Sequence, residues 1–421
     1  MNPFKSLLTM MLYSSLVLCA NEARATYLLF PGSQSKTSAG AGQTVSRGPA
    51  ALFYNPANLI FSKFIEPYAE VSLAKVSYQY QHTETETYDP AAVDVTAPPI
   101  TIGIGFRPVP SFALGLAFFP TGAGAVQLIE AVPLHLGGGV YKLSDVINKQ
   151  TGNKIAAGAA FRFAFPFTIG LGLIRTSEET QVQIFPVDSE DALFDAAYTN
   201  AANQFLVGMR SELFDRYLVV ALSYRTGAEK KYIGDIITSL EPGVANEFTG
   251  VGYLPGAIGF GLETRFSSIG LFLDFVRETW SGARTVYKGG FGPEPDEYDF
   301  IDSNNISLGL KWWVAPKHMI QVGFGSHGAN TGDGTEVGTS AAGLQDEEKA
   351  LVIGGPPFGS LDAVPRTIFA GGYRAKITGT GYFQTGLNYQ TGTRIIPEGY
   401  GQEGQYTLKV ILLTIGLAYG F

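Results

Sequence analysis

Ile411-Leu412-Leu413-Thr414-Ile415-Gly416-Leu417-Ala418-Tyr419-Gly420-Phe421 closes the chain and decides how the rest is read. Ile411, Leu413, Ile415, Leu417, Tyr419 and Phe421 share one face of a two-residue repeat. Thr414, Gly416, Ala418 and Gly420 share the other. A period of two is that of a β-strand. An apolar stripe opposite a small, polar one suits a strand with lipid on one side and a lumen on the other. A soluble sandwich produces the same alternation, so the connections between strands must discriminate.

Working outward from this stretch, the same alternation marks fourteen candidate strands. They lie near 64-81, 100-107, 111-120, 154-163, 167-178, 204-212, 218-226, 254-265, 270-278, 305-314, 319-325, 366-374, 380-391 and 406-421. In the tenth, Ile306, Leu308, Leu310, Trp312 and Val314 are expected to face lipid, and Ser307, Gly309 and Lys311 the lumen. An even count is what single-chain bacterial barrels require. Seven long connections (82-99, 121-153, 179-203, 227-253, 279-304, 326-365 and 392-405) alternate with six short ones (108-110, 164-166, 213-217, 266-269, 315-318 and 375-379). Long outward loops and short periplasmic turns are the mark of an outer-membrane barrel. The parity places both chain ends in the periplasm.

Composition agrees. The 421 residues include 52 Gly, 29 Phe and 21 Tyr, with 16% charged. Gly and aromatics at this level suit strands, tight turns and interfacial girdles. Mean hydropathy is slightly positive at +0.11, yet no segment after the leader is an apolar run of roughly 20 residues, the length a spanning helix needs. Closed barrels are the other structure that satisfies every backbone group in lipid. A net charge of -8 without basic clusters argues against nucleic acid as a partner.

Residues 1-25 read as a secretory signal. Lys5 supplies its positive end, Leu7 to Leu18 its apolar core and Ala23-Arg24-Ala25 its cleavage site. Leu18 stands where a lipoprotein signal wants a small residue before Cys19. Cleavage after Ala25 removes Lys5, Glu22 and Arg24, taking the net charge to -9, and removes the one cysteine, so no disulfides are expected.

Residues 26-62 do not alternate. Ser38-Ala39-Gly40-Ala41-Gly42-Gln43 is a run of small residues, and Phe53-Tyr54-Asn55-Pro56-Ala57 contains a turn-starting Asn-Pro. Small residues and turns suit a compact segment packed inside a wide barrel. This stretch resembles the N-terminal hatch of the FadL-type family of outer-membrane long-chain fatty acid and aromatic hydrocarbon transporters. Leu254-Pro255-Gly256-Ala257-Ile258-Gly259-Phe260-Gly261 resembles the Pro-and-Gly opening of a strand in that family. Asn58 stands where the family usually has Gly, and Ser46-Arg47-Gly48-Pro49 replaces acidic residues common there. At the C-terminus, Thr414-x-Gly416-x-x-Tyr419-x-Phe421 resembles the signal read by the barrel-assembly machinery.

The resemblance implies an all-β protein: a transmembrane antiparallel barrel of fourteen strands over 63-421, with a hatch over 26-62 inside its lumen. It implies a monomer set in outer-membrane lipid and lipopolysaccharide, with no cofactor. Fatty acids or hydrocarbons are caught outside, held in an apolar pocket above the hatch and released sideways through the wall. Val126, Leu128, Ile129, Val132 and Leu134 make the second long connection apolar enough for a capture surface, and Phe185, Leu193 and Phe194 extend it. Arg47 and Lys311 are the candidate cations for a ligand carboxylate. Gly103, Gly105 and Gly115 are places for the wall to kink.

Catalysis finds little support. His82, His135, His318 and His327 form no metal helix, and no phosphate loop or nucleophile elbow is present. Residues 330-336 lack the ligand spacing of a calcium loop. Two other functions share the barrel reading: a general diffusion porin, which wants an open polar lumen, and a secretion or surface-assembly factor that holds a protein partner.

Overall fold

The computed structural model describes residues 30-81, 91-97, 100-136, 140-164, 166-186, 194-238, 246-280, 286-288, 301-329, 364-377, 381-396 and 404-421. The expected leader lies outside the described residues. So do the first four residues of the expected mature chain, Leu193 and the tips of several long connections.

Among the described residues, fourteen strands form one closed antiparallel ring. The first five are β1 (Ile65–Gln81), β2 (Ile100–Val109), β3 (Phe112–Leu136), β4 (Val140–Ala164) and β5 (Phe167–Pro186). Then come β6 (Phe194–Leu213), β7 (Leu218–Arg225), β8 (Gly256–Phe266), β9 (Ile269–Thr279) and β10 (Ser303–Ala315). The last four are β11 (His318–His327), β12 (Arg366–Lys376), β13 (Tyr382–Ile396) and β14 (Gly404–Ala418). Each pairs with the next, and β14 returns to β1 over a ladder from Tyr68↔Ala418 to Gln81↔Gln405. Closure leaves the ring without a free edge, which lipid would not solvate.

The register obeys the alternation. Ile306, Leu308, Trp312 and Val314 of β10 face outward, while Ser307 and Lys311 are buried inward at 4% and 5% exposure. A slip of one residue would exchange the two sets, so an apolar exterior fixes the register strongly. Ile411, Leu413, Ile415 and Phe421 form the outer stripe of the last strand as expected. Leu417 departs from it: it is buried, lining a small cavity where the ladder ends.

Several expected loops contain strand. β3 and β4 continue as a paired hairpin to Leu136↔Val140, so most of 121-153 is not irregular loop. β5 and β6 stay paired to Ile184↔Phe194. Three shorter strands, Ala91–Ala97, Ala228–Thr238 and Asn246–Leu254, pair above β1, β6 and each other, and Val286–Lys288 adds to the last. Stretches such as Lys142 to Lys149 alternate weakly in sequence, yet their backbone is paired. Backbone pairing persists where the apolar stripe ends.

The segment before β1 is compact. It has a short helix α1 (Ser33–Lys36) and two 3-10 turns, Gly48–Phe53 and Pro56–Phe61. Pro occupies an early position of both 3-10 turns, where its missing N–H costs nothing. Asn55 caps the second by accepting a hydrogen bond from the Ala57 N–H at 3.1 Å. The segment has bonding or packing partners on β1, β3, β6, β9, β10 and β13, which encircle it. It therefore lies inside the ring, at the end carrying the short turns.

Candidate functional site

The contacts of this inner segment differ from one side of the ring to the other. From β6 round to β1 they are polar. Asp274 of β9 accepts the backbone N–H groups of Gly42 and Gln43, both at 2.6 Å. Arg210 of β6 donates to the Thr44 carbonyl and to Asn58 Oδ1, each at 3.0 Å. Ser307 donates to the Ala39 carbonyl, Gln384 to Thr37 and Asn388 to the Lys36 carbonyl. Lys36 is ion-paired with Glu70 of β1, with both side chains at or below 1% exposure. A buried pair of this kind adds little beyond an apolar equivalent, but losing one partner strands the other charge.

From β2 to β5 the contacts are mostly close packing on glycine. A methyl group built on Gly103 would lie 2.5 Å from Pro49, on Gly115 2.6 Å from Leu59, and on Gly158 2.7 Å from Leu52. On Gly170 it would lie 2.2 Å from the backbone nitrogen of Ala57. The segment fits against this wall because the wall has no side chains there. The candidate kink positions Gly103 and Gly115 thus serve close approach.

The motif Phe53-Tyr54-Asn55-Pro56-Ala57 connects the two sides. Asn55 Nδ2 donates to the carbonyls of Met209 and Leu222, on neighbouring strands, at 3.0 and 3.1 Å. Tyr54 donates to the Pro31 carbonyl at 3.0 Å, and burial raises its pKa because the phenolate would lose its water. Phe53 turns the other way, its ring 5.8 Å from that of Phe119 on β3.

Phe119 stands at an irregular place in the wall. The pairing of β2 with β3 ends at Ile102↔Phe118, and the β3–β4 register slips between Pro120 and Gly122. Pro120 has no N–H to give a ladder, so a bulge there follows from the sequence. On the outer side of these strands, Ile104, Leu116 and Leu173 border a shallow apolar hollow over Gly115, Gly158 and Gly172.

Higher in the lumen, apolar and polar faces coexist. Val76, Leu408, Val410 and Leu412 are buried on the inward faces of β1 and β14. Across from them, Lys230 pairs with Glu178 at 2.5 Å and Arg225 with Glu278 at 3.2 Å. The described lumen is thus not a uniformly apolar tube.

The sequence-derived candidates scatter. Val126, Leu128, Val132 and Leu134 are not on a loop. They lie in the β3 ladder, opposite Asn148, Val146, Ser144 and Lys142, and Ile129 falls in the bulge between. Phe185 and Phe194 end β5 and β6. The side chains of all seven lie outside the described residues. Lys311 faces inward but sits 2.9 Å from Glu263 at the short-turn end, so it is an ion-pair partner. Arg47 lies at that end too, over the Phe61 ring. Asp274, Arg210 and Asn388 were not singled out from sequence. The only signal they carry is a polar residue at an inward position. Among the described residues, no three His, Cys, Asp or Glu side chains are placed to hold a metal ion.

A closed ring of fourteen strands around an N-terminal segment is a fold shared with solved barrels described as FadL homologues and hydrocarbon channels. The solved structure of a Pseudomonas aeruginosa FadL homologue superposes with a TM-score of 0.67 over 94% of this chain and 99% of its own, at 12% identity. The toluene transporter TodX of P. putida superposes at 0.66 over 93% and 98%, at 10% identity. The monoaromatic hydrocarbon channel CymD does so at 0.61 over 94% and 99%, at 13% identity. No protein-family sequence model matches the chain, and no curated protein matches it by sequence. At such identities the likeness establishes the fold.

Proposed function

We propose that the protein is a channel of the bacterial outer membrane that takes up hydrophobic molecules, long-chain fatty acids or aromatic hydrocarbons, by diffusion. The inner segment is its hatch, residues 1-25 its leader, and both mature ends face the periplasm. The observation that carries this reading is the meeting of Phe53 with Phe119 beside the Pro120–Gly122 bulge. Both rings are buried, so an apolar solute arriving above the hatch would part them beside a place where the register of the wall shifts. Leaving sideways there delivers it to the bilayer without passage through periplasmic water, which would cost about 25 cal/mol per Å² of apolar area exposed. The neighbours described as hydrocarbon channels share the fold that makes such a route available. The route needs no cofactor and no second subunit. Assembly in outer-membrane lipid and lipopolysaccharide follows the C-terminal signal read by the barrel-assembly machinery.

The test is mass spectrometry of solvent extracts from protein purified gently from its native membrane. A fatty acid or hydrocarbon enriched over bulk lipid is the expected result. Bulk lipid alone, with a protein partner retained in stoichiometric amount, would move the reading to secretion or surface assembly.

A further inference from the structure

A second site lies at the other face of the hatch. Where β1, β12, β13 and β14 end, a cavity of about 30 Å³ opens between the wall and the segment. Arg47 of the segment and Arg374 of β12 both line it, with Ser33, Gln34, Ser46 and Gln384 around them. The Arg374 guanidinium lies 3.7 Å over the Tyr382 ring, a stacking that fixes its plane. Arg47 is held 5.4 Å over Phe61. Neither arginine has a carboxylate within ion-pair distance among the described residues. Glu66 also lines the cavity, but its Oε2 accepts the Lys63 N–H at 2.9 Å. Among the residues that line the cavity, two guanidiniums face one carboxylate, while Arg47 also lies in the field of Glu263 outside it.

We propose that this cavity binds the carboxylate of a small organic acid entering from the short-turn end. Two fixed guanidiniums suit a planar, two-oxygen anion, which each can grip by a forked hydrogen bond. The cavity has room for the carboxylate head and little more. Ala50, Leu417 and Ala418 on its border present apolar surface to whatever the acid carries. Because Arg47 belongs to the segment and Arg374 to the wall, an occupied site ties the two together. The site is separate from the Phe53–Phe119 contact and does not rest on the transport reading; a chain that carried no hydrocarbon would still bind the acid.

The experiment is calorimetric titration of benzoate, and separately of inorganic phosphate, into the detergent-solubilised full chain. Saturable benzoate binding is expected, weakened tenfold or more in Arg374→Gln and in Arg47→Gln. It should be unchanged in Lys317→Gln, which removes an exposed charge from the same rim. Arg374→Lys, which keeps the charge and loses the fork, should weaken it to a lesser degree. Retained heat-modifiable mobility on gels shows that each variant is a folded barrel. Absence of saturable benzoate binding, equal weakening in Lys317→Gln, or phosphate binding tighter than benzoate would each overturn the proposal.

Discussion

The two sides of the inner segment are held by different physics. Toward β6 to β1 the wall reaches in with charged and amide side chains: Asp274, Arg210, Asn388 and Glu70 each satisfy a polar group of the segment. Glycines admit the segment all round the ring, at Gly323, Gly372 and Gly386 as at Gly103, Gly115 and Gly158, but toward β2 to β5 side-chain bonds to it are few (Arg107 donates to the Ile60 carbonyl) and it rests on the wall through Pro49, Leu52 and Leu59. Directional bonds resist displacement in every direction. Van der Waals contact resists compression and yields to separation. The side that yields is also where β3 bulges at Pro120–Gly122. On the proposed function, a segment tied on one side and resting on the other would open a path along the yielding wall while staying in the barrel.

The comparison is open to direct attack. The largest effect is expected from Lys36→Met, which leaves Glu70 buried without its cation. A loss of about 3–5 kcal/mol in denaturant midpoint experiments is predicted, mostly restored by adding Glu70→Leu. If the single variant cost nothing, the bonded side would not be what anchors the segment. Next comes Gly170→Val. Its Cβ would meet backbone at Ala57, which has no flexible end to move. About 1–3 kcal/mol of overpacking strain should displace the segment from this wall and raise single-channel conductance.

The smallest effect concerns pH. Tyr54 is buried with its pKa raised, so the folded state keeps the proton after an unfolded tyrosine, near pH 10, has lost it. The unfolded state then binds fewer protons, and stability falls as pH rises above about 10. Tyr54→Phe should lessen this fall, read by alkaline titration of the unfolding midpoint, at a cost near 1 kcal/mol for the bond to Pro31. An unchanged alkaline limb would show that Tyr54 is not held as described.

Much of the barrel was legible because lipid imposes one rule on every strand. The tenth strand, expected near 305-314, spans Ser303–Ala315, and its lipid stripe is the one the alternation marks. The rule stops at the membrane boundary. Val126 to Leu134 read as an apolar loop because, beyond that boundary, pairing rather than lipid keeps the chain extended. The site was less legible for another reason. Alternation says that Asp274 points inward and nothing about Gly42 and Gln43, more than two hundred residues earlier. The Phe53-Tyr54-Asn55-Pro56-Ala57 motif was visible as a local turn; the meeting of Phe53 with Phe119 needs the closed ring.

The central claim is sideways release beside Phe119, where the β2–β3 pairing ends, and a reversible lock at that place tests it most directly. Ile102↔Phe118 is the last opposed pair of β2 and β3, next to Phe119. The sole native cysteine, Cys19, lies in the proposed leader. Uptake of a labelled aromatic hydrocarbon or long-chain fatty acid should be measured in cells carrying Ile102→Cys with Phe118→Cys, oxidised and then reduced. Uptake that falls on oxidation and returns on reduction is the predicted result. Equal uptake in both states, with the disulfide shown to have formed, would contradict the account.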